Sequence, residues 1–153
     1  MLRISKLADY GTVVMVYLAT QSPKISNARD IALQTHLALP TVSKLLKRLT
    51  AAGLLRSSRG MMGGYRLQRP PAEMSVLEII HALEDTRGLT ECSLQPNACA
   101  LQGVCRVQGN WQLISQSIEE KLGSVSLEAL ANPLLSAGDL SQLSVFTSGI
   151  RRG

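Results

Sequence analysis

The sequence predicts a mainly α fold, a winged helix-turn-helix with a β-hairpin wing and a long C-terminal dimerisation helix. Three observations predict it. Two short helical segments lead through a tight link, His36-Leu37-Ala38, into a third, whose Val42, Leu45, Leu46 and Leu49 recur at i, i+3, i+4 and i+7. A strand, a glycine-rich turn and a second strand come directly after it. Later, Trp111, Ile114, Ile118 and Leu122 form an apolar seam that no other segment is long enough to cover.

Each element has its own signals. Ser5 caps a first helix running to about Thr20, with Leu7, Tyr10, Val14, Tyr17 and Leu18 on its inner face. Pro23 breaks that pattern. Asn27 or Ser26 caps a second helix that turns Ala28, Ile31 and Ala32 inward. Pro40 falls in the first turn of the third helix, where proline is tolerated, and Gly53 ends that helix. Its outer face shows Thr41, Ser43, Lys44, Lys47 and Arg48.

Strands at 54–59 and 65–68 then flank Gly60-Met61-Met62-Gly63-Gly64, with Arg59 at the tip between Arg56 and Arg66. These glycines do not form a phosphate-cradling loop, because neither Lys-Ser/Thr nor a helix comes after them. A third helix in this setting lies in the major groove with its N-terminal residues at base edges. Thr41, Ser43 and Lys44 are therefore expected to face bases, and Lys47, Arg48 and Arg59 to hold phosphates or the minor groove.

Composition narrows the function. The 153 residues are one domain, or a small domain with an arm, and 45% hydrophobic content excludes global disorder. The longest apolar run, 13–19, is far short of the roughly 20 residues that span a bilayer. The start shows no secretion-signal pattern, so a cytoplasmic protein without a membrane partner is expected. Five aromatic residues are too few for a platform that stacks single-stranded bases.

Charge is divided along the chain. Residues 1–70 hold eleven Lys/Arg against two acids, net +9, and residues 71–153 hold five against nine, net −4. A polyanion-binding half is thus joined to a half with another task. With two histidines and no Ser/His/Asp set, carboxylate pair or nucleotide loop, neither an enzyme nor a small-molecule substrate is expected.

The second half opens with Arg69-Pro70-Pro71 and a capping box, Ser75 to Glu78, which starts a fourth helix through Ile79, Ile80, Ala82 and Leu83. Helical pattern stops after Glu84-Asp85. All three cysteines come next, within fourteen residues: Cys92, Cys99 and Cys105, spaced Cys-x6-Cys-x5-Cys around Pro96 and Asn97. A disulfide with a spare thiol is disfavoured in a chain that looks cytosolic. Three core cysteines would keep a helical or strand period, and these do not. A redox-switch thiol set ranks below a metal or iron–sulfur site, whose converging thiolates suit irregular backbone. Spacing alone does not separate zinc from iron–sulfur, although the tight Cys pairs of structural zinc loops are absent. Candidates for a fourth ligand are Asp9, Glu91, Gln108, His36 and His81; His36 also reads as an ordinary link residue, and His81 as a surface one.

A helix over 107–122 carries the Trp111 seam, a short helix covers 126–130, and 132–153 lacks periodicity and is expected to be a mobile tail. The seam suits a partner surface, or packing on the chain's own first helix; both can hold in a dimer. Helix-turn-helix proteins commonly bind as two-fold dimers on half-sites about 34 Å apart, which favours a homodimer on a double-stranded DNA operator. The expected division is 1–70 for DNA binding, 71–106 for the linking helix and cysteine loop, 107–131 for the dimerisation helix region, and 132–153 for the tail.

Several runs carry a resemblance: Leu2-Arg3-Ile4-Ser5-Lys6 with Asp9-Tyr10-Gly11, the wing run Arg59-Gly60-x-x-Gly63-Gly64-Tyr65-x-Leu67, and the triple cysteine. Over about residues 1–130 the chain resembles the Rrf2 family of bacterial winged-helix regulators, which includes the iron–sulfur regulator IscR and the nitric oxide sensor NsrR. It looks most like regulators of the SUF iron–sulfur assembly operon. The resemblance implies a dimer through the long C-terminal helix, and a [2Fe–2S] or [4Fe–4S] cluster on Cys92, Cys99 and Cys105. In the IscR branch a histidine after the third cysteine is the fourth ligand; the matching position here is Gln108, a poor ligand. In the NsrR branch an aspartate of the partner's first helix completes the cluster, and Asp9 matches it, so the resemblance implies Asp9 acting in trans. The base-reading positions that vary between branches are Ser43 and Lys44, so a relative's operator does not transfer. Motifs and resemblance together imply a repressor or dual regulator that senses cluster status. The same fold also serves a nitric oxide or redox sensor, or a zinc- or thiol-based regulator without iron.

Overall fold

Capping chemistry sets the first three helices. The Ser5 hydroxyl accepts the Ala8 amide and opens α1 (Lys6–Gln21); the Asn27 side chain accepts the Asp30 amide and opens α2 (Ala28–Thr35). His36 takes a left-handed conformation, φ 56°, and reverses the chain within three residues into α3 (Leu39–Ala51). Ala38 gives α3 no side-chain cap, but Pro40 in the first turn removes one amide that would otherwise lack a partner. Gly53, at φ 75°, ends α3 in a conformation that costs a residue with a Cβ strain. In this computed structural model, residues 4–84, 88–90, 93, 99–100 and 104–132 are described.

The wing is an antiparallel hairpin of β1 (Leu55–Ser58) and β2 (Gly64–Leu67), in the register Leu55–Leu67, Arg56–Arg66, Ser57–Tyr65 and Ser58–Gly64. The turn-side end of β2 is stitched to the segment before α2. The Ser26 amide donates to the Tyr65 carbonyl at 3.0 Å, and the Tyr65 amide donates to the Ser26 carbonyl at 2.8 Å. Gly64 lies against that Ser26 carbonyl, with no room for a Cβ. A 3-10 turn (Pro71–Glu73) leads to α4 (Val76–Leu83), opened by the reciprocal Ser75–Glu78 capping box. The last elements are α5 (Gln108–Ser124) and α6 (Leu127–Ala131), the latter capped by Ser126.

One core runs through both halves. Val14 and Met15 of α1, Ile31 of α2 and Val42, Leu45, Leu46 and Leu49 of α3 join Met74, Ile79 and Leu83, and Leu127 of α6. The Leu127 amide donates to the Met74 carbonyl at 2.7 Å, which returns the chain end of this core to α4. The inner face of α1 differs from the expected one: Ala8, Gly11, Val14, Met15 and Leu18 are buried, while Leu7, Tyr10 and Tyr17 pack half-buried at its edges. Gly11 takes an inner position because the Leu83 side chain of α4 fills the space that a Cβ there would need.

The long helix α5 rests on α4 rather than on α1. It buries only Ser115. Its seam divides along its length: Ile118 and Leu122 are half-buried, while Trp111 is 41% and Ile114 45% exposed, beside Leu113 at 64%. No helix of the described residues is long and apolar enough to cross a membrane.

Candidate nucleic-acid interface and cysteine loop

The rotation of α3 is fixed by its buried stripe of Val42, Leu45, Leu46 and Leu49, each fully inaccessible. That leaves Lys44 and Lys47 exposed on the outer face, with Thr41, Ser43 and Arg48 half-buried at its flanks. The six residues expected to meet DNA therefore comprise five on the outside and edges of α3 and Arg59, exposed at the wing.

The hairpin register adds two more. Arg56 and Arg66 are Cα partners across the strands, and both are exposed. Like charges directly opposite destabilise a strand pair. Neither has an ion-pair partner among the described residues. Such a pair fits a wing that meets a polyanion. The sequence places both arginines beside the tip; their facing geometry depends on turn length and strand register, which alternation in short strands does not fix.

On the other side, α4 ends where the cysteine loop begins. Glu84 Oε1 accepts the Ser5 amide at 3.0 Å, tying that point to the start of α1. The loop is anchored to α5 through a chain of hydroxyls. The buried Ser115 Oγ accepts the Leu89 amide at 3.3 Å and donates to Ser93 Oγ at 3.0 Å. Ser93 Oγ and Thr90 Oγ1 lie 2.9 Å apart, and the Ser93 amide donates to the Thr90 carbonyl at 2.9 Å. Residues on both sides of position 92 are thus held to the first turns of α5. A cleft of about 700 Å³ opens between α4, α5 and the start of α1, lined by Ile80, His81, Leu89, Ile118 and Leu122 among others.

Cys99 and Cys105 are half-buried free thiols, and Cys92, Glu91 and the expected tail at 133–153 lie outside the described residues. Two free thiols on irregular backbone, the second three residues ahead of α5, are a donor set that suits soft metal ions and iron–sulfur clusters. Gln108, half-buried at the start of α5, offers only an amide. Asp9 is exposed in the first turn of α1, and its carboxylate has no hydrogen bond or ion pair among the described residues. Among the described residues no three of His, Cys, Asp and Glu converge, so Asp9, Cys99 and Cys105 of one chain do not form such a group. His36 is the exposed pivot of the α2–α3 turn, as a link residue should be. His81 is not a plain surface residue: its Nε2 stands 3.9 Å from Glu119 Oε1 across the α4–α5 contact.

The family model of the Rrf2 proteins, described as an iron-dependent transcriptional regulator, matches residues 4–133. The chain belongs to the Rrf2 family. Among relatives of this Rrf2 protein, the transcriptional regulator NsrR of Halalkalibacterium halodurans is 29% identical over 110 residues, 71% of this chain and 75% of that one. The solved structure of CymR, the global cysteine regulator of B. subtilis, superposes with a TM-score of 0.68 at 29% identity, covering 86% of this chain and 97% of CymR. The structure of T. potens IscR gives a TM-score of 0.66 at 31% identity, covering 84% and 86%. These neighbours are winged-helix regulators and share the helical body and hairpin wing; the Rrf2 chain is a transcriptional regulator and not an enzyme.

Proposed function

We propose that this Rrf2 protein is a cytoplasmic, homodimeric regulator that reads iron–sulfur status and controls iron–sulfur assembly genes of the SUF type. The observation that carries this reading is the pair of half-buried cysteines, Cys99 and Cys105, on the irregular segment between α4 and α5. With Cys92 they make a three-thiolate set. Asp9 of a partner subunit would complete it, since its carboxylate is exposed and uncommitted among the described residues. A cluster bound there would supply the redox- and oxygen-sensitive chemistry of the sensor. The two subunits would pair through the free half of α5, where Trp111, Leu113 and Ile114 stand exposed.

On DNA, Thr41, Ser43 and Lys44 would meet base edges, while Lys47, Arg48, Arg56, Arg59 and Arg66 would hold phosphates or the minor groove. The loop is anchored to α5 by Ser115, and α4 packs on both α1 and α3. Loading the loop would therefore alter the spacing of the two α3 helices in the dimer. In this reading 1–70 forms the DNA-binding unit, 71–106 the sensor and 107–131 the dimer element. The deciding experiment is absorption spectroscopy on anaerobically purified protein, with iron, zinc and acid-labile sulfide assayed on one sample. Brown protein with matched iron and sulfide supports the cluster. Operator binding that is equal with and without the cluster would end the sensing role.

A second reading has an observation of its own. The likeness to CymR, a global cysteine regulator, favours sensing through thiols without iron. Colourless protein that stays so after reconstitution with iron and sulfide would select it. Cluster loss at stoichiometric nitric oxide would instead point to a nitric oxide sensor on the same scaffold.

A further inference from the structure

Two side chains at the wing tip stand out against the chemistry around them. Met61 and Met62 are 105% and 90% exposed. Tight turns usually present glycine, proline, asparagine, aspartate or serine to water, each for a conformational reason that methionine lacks. The turn beneath them is built firmly. Gly60 sits at φ 108°, the Gly63 amide donates to the Gly60 carbonyl at 2.9 Å, and Gly63 is pressed against the Ser58 carbonyl with no room for a Cβ. The two thioethers are therefore carried on a fixed platform and pointed away from the body.

The surroundings specify the partner. Arg56, Arg59 and Arg66 are all exposed on the same hairpin, and no acid occurs from Leu55 to Leu67. A surface that takes three guanidiniums around two apolar side chains must have anionic rims and an apolar interior. The minor groove of duplex DNA has that form, with phosphates along its edges and sugar carbons as walls. We propose that Met61 and Met62 enter the minor groove beneath the wing and select A·T over G·C pairs there. This rests on the DNA-binding reading of the wing and adds a specificity element to it.

The physical basis is shape. In the minor groove A·T and T·A pairs show only acceptors on a flat floor, whereas guanine raises its N2 amino group into the groove. A thioether cannot hydrogen-bond that amino group usefully, and burying it against a methyl costs free energy. Over an A·T step the same side chain slides in, and its unbranched stem adapts to the groove wall. A·T tracts also narrow the groove and deepen its negative potential, which favours the neighbouring Arg59. Methionine is among the apolar residues that wedge into minor-groove steps.

The test compares the full wild-type chain with a Met61→Gln/Met62→Gln variant, which keeps side-chain length and removes the apolar character. Because both positions are fully exposed, the variant should melt with the wild type. Duplexes selected from a random pool by the wild type locate the wing position outside the major-groove half-site. That position is then rebuilt as A·T, G·C or inosine·C; the last keeps a G·C-like major groove without the minor-groove amino group. Expected for the wild type is a several-fold preference for A·T over G·C, with inosine·C behaving as A·T. The variant should lose that preference, keep the same half-site, and bind roughly tenfold more weakly, as expected for two partly buried thioethers. The proposal is overturned if inosine·C behaves as G·C, or if the variant keeps the A·T preference. It is also overturned if the variant loses binding to anionic vesicles while its DNA affinity is unchanged. If the wild type selects no duplex at all, the DNA-binding reading falls with it.

Discussion

Arg56 and Arg66 stand directly opposite each other across the wing, exposed and without an acidic partner among the described residues. Facing like charges cost a hairpin a few tenths of a kcal/mol, up to about 1. Replacing one should therefore help the free protein and harm the complex. Arg56→Thr is expected to leave the melting temperature equal or slightly higher and to weaken duplex binding. If Arg56 meets one phosphate, the slope of log affinity against log salt should shrink by about 0.9. Titration at four salt concentrations beside a melting curve measures both; an unchanged slope removes Arg56 from the interface.

Gly11 of α1 packs so tightly on Leu83 of α4 that an added Cβ would overlap the Leu83 Cδ1 atom and touch Leu45. Two effects oppose each other in Gly11→Ala. Helix propensity gains up to about 1 kcal/mol. Overpacking a closed core costs roughly 1–3 kcal/mol, and Leu83 is only 2% exposed, so its side chain has little room to yield. The second effect should win, lowering stability by about 1 kcal/mol. Combining it with Leu83→Val should remove most of that penalty. Additive effects in the double mutant, measured by denaturant unfolding, would show that the contact is not the cause.

The readable and unreadable parts of this chain divide along physical lines. The Ser5, Asn27 and Ser75 caps, Pro40 in the first turn of α3 and Gly53 after its end are local devices, and each stands where its chemistry demands. The buried stripe of α3 is a period of 3.6 with no competing neighbour. The inner face of α1 is less legible because Tyr10 and Tyr17 outweigh Ala8 and Gly11 in hydrophobicity, while close helix contact rewards small size. The Arg56–Arg66 facing, the Glu84–Ser5 tie and the reach of His81 to Glu119 depend on long-range packing and leave no local trace. The grouping of the three cysteines is legible as spacing alone; how their side chains are arranged depends on the fold of an irregular loop, which spacing does not place.

Glu78 joins the wing exit to α4. Its Oε1 accepts Arg69 Nη2 at 2.5 Å and its Oε2 accepts the Ser75 amide at 2.8 Å. Burial alone would raise its pKa, but the Ser75 amide and the Arg69 guanidinium outweigh that and hold the carboxyl below its ordinary 4.5. A carboxylate depressed on folding adds stability above its unfolded value, and that contribution fades as pH falls through the folded value. Glu78→Gln keeps a capping partner and removes the charge. Since both side chains of the ion pair are 40% exposed, the loss at pH 7 should stay under about 1 kcal/mol. The wild type and Glu78→Gln stabilities should converge below about pH 4.5. A constant gap between their unfolding curves from pH 7 to pH 3 would rule out the charge as its source.

Placing Asp9 in trans has a consequence that no single variant reveals. Cys92→Ala should abolish cluster loading and change operator affinity far more than melting temperature, and Asp9→Ala should weaken or abolish loading with the thiols intact. Neither result says which subunit supplies the carboxylate. Co-expressing a tagged Asp9→Ala chain with a differently tagged Cys92→Ala chain separates the cases. If the aspartate crosses the dimer, the mixed species holds one complete site, built from the cysteines of one chain and Asp9 of the other. It should then carry half the iron and sulfide of the wild type, while both homodimers carry little. If Asp9 serves the cysteines of its own chain, each half of the mixed dimer lacks one ligand, and loading should be no better than in the homodimers. Iron content of doubly affinity-purified mixed dimers decides it.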